Sequence, residues 1–252
     1  MTRIDLNSDL GEGFGPWSMG DDEAMLGIVT SANVAAGGHA SDPETMFRTL
    51  QLAAARGVVV GAHPGYADRA GFGRRIIPMA PTEIGRMVVA QTGALSALAQ
   101  MAGTAVRYVK PHGALGNLAA ADRAVADAIA AAVARLSPRL AILAISGTAL
   151  EHSARAAGVE VFSEIFADRA YLPDGQLVPR TRDGAVLHDP DAIAARLLGF
   201  LDSGVMPSID GAPVRLAAHS ICVHGDTPGA VDIARELRAR LDAAGVEIAP
   251  FL

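Results

Sequence analysis

One α/β domain whose parallel strands close into a barrel is the fold this sequence predicts, and three observations predict it. Short apolar runs suited to buried strands recur along all 252 residues, and helical stretches separate them. No Gly/Ser/Pro-rich linker and no repeat array divides the chain, so a single domain over 1–252 is expected. Nearly every apolar run is followed at once by charged or imidazole residues. A closed ring of strands brings all such ends to one face, whereas an open sheet focuses ligands at one switch point.

The predicted strands are Ile4 to Leu6, Ile28 to Ala35, Val58 to Gly61, Val106 to Val109, Leu140 to Ile145, Val159 to Phe162 and Val214 to Val223. They read as continuous rather than alternating, as strands covered on both faces do. Asp42-Pro43-Glu44 sets an N-cap before a helix-starting proline, and Gly57 closes that helix. Pro81-Thr82-Glu83 opens a helix to about Ala102, and Ala119 to Leu136 is an alanine-rich helix. Asp189-Pro190 starts a helix ending near Gly204, and Pro228 starts one ending near Gly245. Strand and helix in alternation imply right-handed crossovers between parallel strands. Arg169 to His188, with its Pro-Asp-Gly and Asp-Gly turns, reads as a hairpin excursion placed to cover the site.

Charge and cysteine content narrow the function. A net charge of −6 without any Lys/Arg-rich stretch argues against nucleic acid or an anionic membrane as partner, so the expected ligand is small. Cys222 stands alone and forms neither an internal disulfide nor a cysteine-based zinc site. The first nine residues carry Arg3, Asp5 and Asp9 with no apolar core of a signal peptide, and no apolar window is long enough to span a membrane. A reducing cytoplasm is the expected compartment.

Chemistry-bearing residues gather at the predicted strand ends. After the first strand, alternation sends Asn7 and Asp9 to the same side, with Glu12 beyond. Paired carboxylates suit acid/base work or a hard cation. Asp5 is read as a turn-capping residue. Gly37-Gly38-His39 precedes a helix start at which Asp42 is the cap, which leaves His39 as the functional candidate. His63 follows an apolar run directly, and Gly71-Phe72-Gly73-Arg74-Arg75 adds a glycine-rich loop with two cations able to grip a carboxylate or phosphate. Lys110 and His112 lie two residues apart and can point the same way. The stretches Glu164 to Arg169, with Asp168 and Arg169, and Cys222 to Pro228, with His224 and Asp226, each join an acid to a base or cation. His152, His188 and His219 are read as structural.

No phosphate-binding loop, dinucleotide fingerprint, zinc-protease helix motif or nucleophile elbow occurs. Taken together, the blocks Asp5 to Gly13, Asn33 to Pro43, Gly61 to Tyr66, Gly71 to Arg75, Lys110 to Leu115, Phe166 to Arg169 and Ile221 to Pro228 resemble the LamB/YcsF family. That resemblance implies an irregular (β/α)7-type barrel of the glycoside hydrolase/deacetylase-like kind. It also implies membership of an ATP-coupled 5-oxoprolinase, which opens 5-oxo-L-proline to L-glutamate, as the component that works with subunits B and C. ATP would be a co-substrate of the complex, and no residue of this chain is assigned to it.

In this reading Asp9, Glu12, His63 and His112 position or deprotonate water, and Lys110 stabilises developing negative charge. Asn7, His39, Arg74, Asp168, Arg169, His224 and Asp226 bind substrate, with Arg74 or Arg169 on its carboxylate. No metal is expected in the main reading; a divalent ion, if used, is assigned to Asp9, His39, His63 and Asp226. Two alternatives stand beside it: a metal-dependent, deacetylase-like amide hydrolase, and a non-catalytic lactam-binding subunit.

Overall fold

The computed structural model describes residues 2–223 and 229–252. The expected His224 and Asp226 lie outside the described residues. The chain runs β1 (Arg3–Leu10), α1 (Asp22–Leu26), β2 (Ser31–Ala35), α2 (Pro43–Arg56), β3 (Val59–His63), α3 (Pro81–Met101) and β4 (Val106–Val109). It continues through α4 (Gly113–Ala121), α5 (Arg123–Val133), β5 (Ala141–Ile145), α6 (Ala149–Ala156), β6 (Val161–Phe166) and α7 (Pro190–Ser203). Last come β7 (Val205–Pro207), β8 (Pro213–Arg215), β9 (Ser220–Cys222), α8 (Ala230–Ala243) and β10 (Glu247–Ile248).

Seven parallel strands close in the order β1-β2-β3-β4-β5-β6-β9 and back to β1. Asn7 carries the closure, pairing with Ser31 on one side and with Cys222 on the other. The expected barrel is present, with helices around it. Helix starts and stops follow local chemistry. Asp42 accepts from Glu44 N and Thr45 N ahead of Pro43, and Gly57 ends α2 with a left-handed φ of 66°. Asp189 and Gly204 bracket α7 in the same way.

The barrel interior departs from the expected apolar fill. β1 alternates rather than running continuously: Asp5, Asn7 and Asp9 face one side, and Ile4, Leu6 and Leu10 face the helices. Asp5 caps no turn. Its Oδ1 accepts from Thr30 Oγ1 at 2.6 Å and Ser31 Oγ at 2.7 Å, and its other oxygen accepts from Ser220 Oγ, tying three strand segments together. Asn7 donates to Ser220 Oγ at 2.6 Å, and Asn33 donates to both Asn7 Oδ1 at 2.7 Å and Asp9 Oδ1 at 2.8 Å. Buried polar groups are tolerated here because each finds partners across the ring.

Tyr108 fills the space that Gly61 leaves. Its ring crosses to β3 and its hydroxyl donates to Asn33 Oδ1 at 2.6 Å. Below it, Phe251 sits 5.1 Å from Tyr108 and 4.7 Å from Phe162 between ring centroids, closing the barrel at the strand starts. The barrel's cavity lies at the carboxyl ends of the strands.

Four expected elements are revised. The helix over Ala119 to Leu136 is two helices, because Asp122 accepts from Ala124 N and Val125 N and starts α5 anew. Alanine favours helix on both sides of that break and hides it. Ile28 and Val29 finish the turn after α1, their N–H groups bonding to Met25 O, so β2 begins at Ser31. Val214 to Val223 divides into β8, an antiparallel partner of β7, and barrel strand β9. The sixth strand extends past Phe162 to Phe166. The hairpin excursion forms, with bridges Arg169 to Val186 and Tyr171 to Leu177.

Two outcomes follow from the packed polar interior. A methyl group at Gly61 would lie 2.1 Å from the Tyr108 ring, so Gly61→Ala is expected to lower stability by about 1–3 kcal/mol in urea unfolding. Burial pushes the Asp5 carboxyl up to about 6 from an ordinary 3.8, against its hydroxyl donors. The native state therefore holds a proton that the unfolded chain releases, and stability from this group falls as pH rises between those values. Relative to Asp5→Asn, the wild type is expected to lose roughly 2 kcal/mol between pH 4 and pH 6, read from unfolding curves at each pH.

Candidate functional site

Because β1, β3, β4 and β6 are parallel members of one closed ring, their carboxyl ends deliver Asp9, His63, Lys110 and Glu164 to one place. A cavity of about 660 Å³ opens there. Asp9, Glu12, His63, Lys110, His112 and Glu164 form its polar corner. Leu143, Ala144, Leu150, Leu177 and Val178 line its apolar side, and Arg74, Arg169 and Arg180 also reach it.

Lys110 is the charge at the centre of this corner. Its Nζ lies 2.9 Å from Glu164 Oε2, 3.3 Å from Asp9 Oδ1 and 3.1 Å from Asn7 Oδ1, with Cys222 Sγ at 3.2 Å. Burial opposes the ammonium, but the charges facing it hold its pKa well above the ordinary lysine range. The carboxylates supply that effect, since burial pushes the Cys222 thiol up and keeps it neutral. Burial also raises Glu164, against the pull of Lys110.

Three imidazoles sit beside this pair. His63 Nδ1 meets Lys110 O at 2.6 Å, His112 Nε2 meets Phe72 O at 2.8 Å, and His63 Nε2 faces His112 Nδ1 at 3.0 Å. His39 Nε2 lies 3.0 Å from Glu12 Oε1, and its ring stacks on His112 with centroids 3.5 Å apart. Burial and the neighbouring imidazoles hold His112 down to about 3 and His39 well below the usual histidine value. Both rings are therefore neutral near pH 7. Glycines make the cluster possible: a methyl group at Gly65 would lie 2.7 Å from His39 Nδ1, and one at Gly73 would lie 2.6 Å from His39 Cβ. Glu12, His39, His63 and His112 each offer an atom within 4.8 Å of the others, a spacing compatible with a metal ion.

The structure thus brings Asp9, Glu12, His39, His63, Lys110 and His112 together. Asn7 lies beneath them in the barrel interior and bonds to Lys110 from there. Arg74 lines the cavity with its guanidinium 5.0 Å above the Phe72 ring. Arg169 also lines it, but it donates through Nε to Ala185 O at 3.3 Å and through Nη2 to Val178 O at 2.6 Å, bracing the hairpin. Asp168 is buried next to that brace, where its carbonyl accepts from Leu187 N. Of the residues assigned to a divalent ion, His39 and His63 fall in the cluster, whereas Glu12 and His112 complete it.

Two features lie outside the expected site: Glu164, and the contact of Cys222 with Lys110. The stretch Glu164 to Arg169 marks this acid in the sequence, but its place beside Lys110 follows only once the strand is extended past Phe162. Removing the ammonium would leave the buried Glu164 carboxylate, and the half-buried Asp9 near it, without their shared cation. Lys110→Met is expected to cost about 3–5 kcal/mol, and Lys110→Met with Glu164→Met is expected to recover part of that in the same denaturation assay.

The whole chain has known counterparts. It is 54% identical over 251 residues to an A-type 5-oxoprolinase subunit of Pseudomonas syringae pv. tomato, covering 100% of this chain and 98% of that protein. The solved lactam utilization protein from Thermus thermophilus superposes with a TM-score of 0.92 at 42% identity, covering 98% of this chain and 99% of that one. A solved T48 deacetylase shares the fold at 13% identity, with a TM-score of 0.52 over 99% of this chain and 88% of its own. The model of the LamB/YcsF family matches residues 4–252, and this chain belongs to that family.

Proposed function

We propose that this chain is the A-type subunit of a 5-oxoprolinase and that its barrel mouth handles the lactam 5-oxo-L-proline. The observation that carries this reading is the full-length likeness, at 54% identity, to a relative bearing that name. The site's chemistry agrees with it. Hydrolysis adds water across the lactam C–N bond: oxygen bonds to the carbonyl carbon, the C–N bond breaks, and the nitrogen takes a proton. Such a site needs a proton acceptor, a cation for the developing oxyanion, and a grip on the substrate carboxylate.

Asp9 is the acceptor best placed at the cavity, with His63 Nε2 3.3 Å behind it and His112 and Glu12 continuing the network. Lys110 supplies the cation. Arg74, which lines the cavity with its guanidinium over the Phe72 ring, is the group offered to the substrate carboxylate. A lactam carbonyl is a poor electrophile, so coupling to ATP through partner subunits B and C provides the activation. The chain has no recognised phosphate-gripping motif, in keeping with ATP being held by those partners.

The test is ATP-dependent release of glutamate from 5-oxoproline by the chain together with its partner subunits. Lys110→Ala or His112→Ala is expected to lower kcat by about 100-fold or more. Arg74→Ala is expected to act mainly on KM. Full activity in both the Lys110 and the His112 variants would reject these roles, and glutamate release without ATP would reject the coupling.

A further inference from the structure

The hydrogen bonds around His63 and His112 determine where their ring protons are. A backbone carbonyl can only accept, so His63 donates through Nδ1 to Lys110 O, and His112 donates through Nε2 to Phe72 O. Phe72 itself adopts a left-handed φ of 52°, a conformation disfavoured for a residue with a Cβ, and in it the carbonyl meets His112. A ring bearing a single N–H has used it on that carbonyl. Both lone pairs, His63 Nε2 and His112 Nδ1, are therefore left facing each other at 3.0 Å.

The other atoms at this spot are also acceptors. Asp9 Oδ2 lies 3.3 Å from His63 Nε2, and Glu12 Oε1 lies 3.6 Å from His112 Nδ1. Four electron-rich atoms from separate segments of the chain thus converge where His63, His112 and Glu12 are all buried. Lone pairs in contact repel unless a proton or a metal cation lies between them. The separations suit one: bonds of about 2.0–2.1 Å in a tetrahedral site put ligand atoms about 3.3–3.4 Å apart.

From this geometry we infer a binding site for one divalent first-row transition ion, with His63 Nε2, His112 Nδ1 and the Glu12 carboxylate as ligands and Asp9 on the cavity side. Two imidazoles and a carboxylate are donors of intermediate softness, suited to zinc and its neighbours and ill suited to magnesium or calcium. His39 is not a ligand in this assignment. Its ring lies flat on His112, at 3° and 3.5 Å, so an ion in the plane of His112 falls outside the plane of His39. His39 Nε2 instead donates to Glu12 Oε1 at 3.0 Å and orients that carboxylate, a positioning role. With the ion bound, His63 and His112 hold metal rather than protons, which leaves Asp9 as the proton acceptor.

The inference concerns the protein alone and stands whether or not the lactam reading does. Its test is metal binding by the purified chain, stripped with a chelator and then titrated with zinc, and separately with cobalt(II). The expected result is one ion per chain, with cobalt giving the visible bands of a low-coordinate site bearing nitrogen ligands. His63→Ala, His112→Ala and Glu12→Gln are expected to abolish binding, whereas His39→Gln weakens it by about 10–100-fold. Circular dichroism confirms that each variant is folded, and the wild-type titration decides the matter even where a variant is not. No stoichiometric binding by the wild type, or an octahedral all-oxygen cobalt spectrum, would overturn the site. Loss of binding in His39→Gln as complete as in His63→Ala would overturn the choice of ligands.

Discussion

The ammonium of Lys110 is the interaction on which the rest of the molecule depends. It lies inside a barrel whose lumen carries Asp5, Asn7, Asp9, Asn33 and Glu164 where barrels of this type usually stack branched apolar side chains. One buried cation between Asp9 and Glu164 lets both carboxylates stay in that interior, and Asn7 and Asn33 distribute the charge by hydrogen bonds across neighbouring strands. A network of this kind adds little net stability compared with an apolar core, but any missing member leaves a buried charge uncompensated. It therefore holds the strand ends in a single arrangement.

That arrangement shapes the chemistry above it. Tyr108 and Phe251 occupy the lower barrel, and the cavity beside Lys110 opens at the carboxyl ends. Lys110 connects the two levels: its Nζ belongs to the lumen network, and its backbone carbonyl fixes the proton of His63. Lys110 and His112 thus tie the imidazole cluster to the segment that carries the central charge, while His63 comes from β3 and His39 from the loop after β2. Gly65 and Gly73 let the rings approach each other, and the hairpin braced by Arg169 closes one side of the cavity. Among the described residues no helix is long and apolar enough to cross a membrane.

Much of this is legible in the residues themselves. Asp9, His63, Lys110 and His112 each stand just beyond an apolar run, and parallel strands place such positions on one rim. Proline and glycine punctuation locates α2, α3 and α7 closely. What escapes a reading of the chain are features in which local pattern and long-range contact disagree. Asp122 interrupts an alanine-rich stretch whose propensity runs straight through it. Glu164 lies inside an apolar strand, and its partner Lys110 belongs to a strand far back in the chain.

By itself the sequence determined the alternation of strand and helix, the family resemblance and the residue types at the strand ends, because periodicity, capping and motif are local properties of the chain. Only the tertiary structure decided which of those residues touch. Glu12 reaches His39 and His112 across loops, Arg169 turns to brace a hairpin, and the ring protons of His63 and His112 are assigned by carbonyls of Lys110 and Phe72. Distances of a few ångströms between segments far apart in the chain are set by strand register and barrel closure, and no local spacing encodes them.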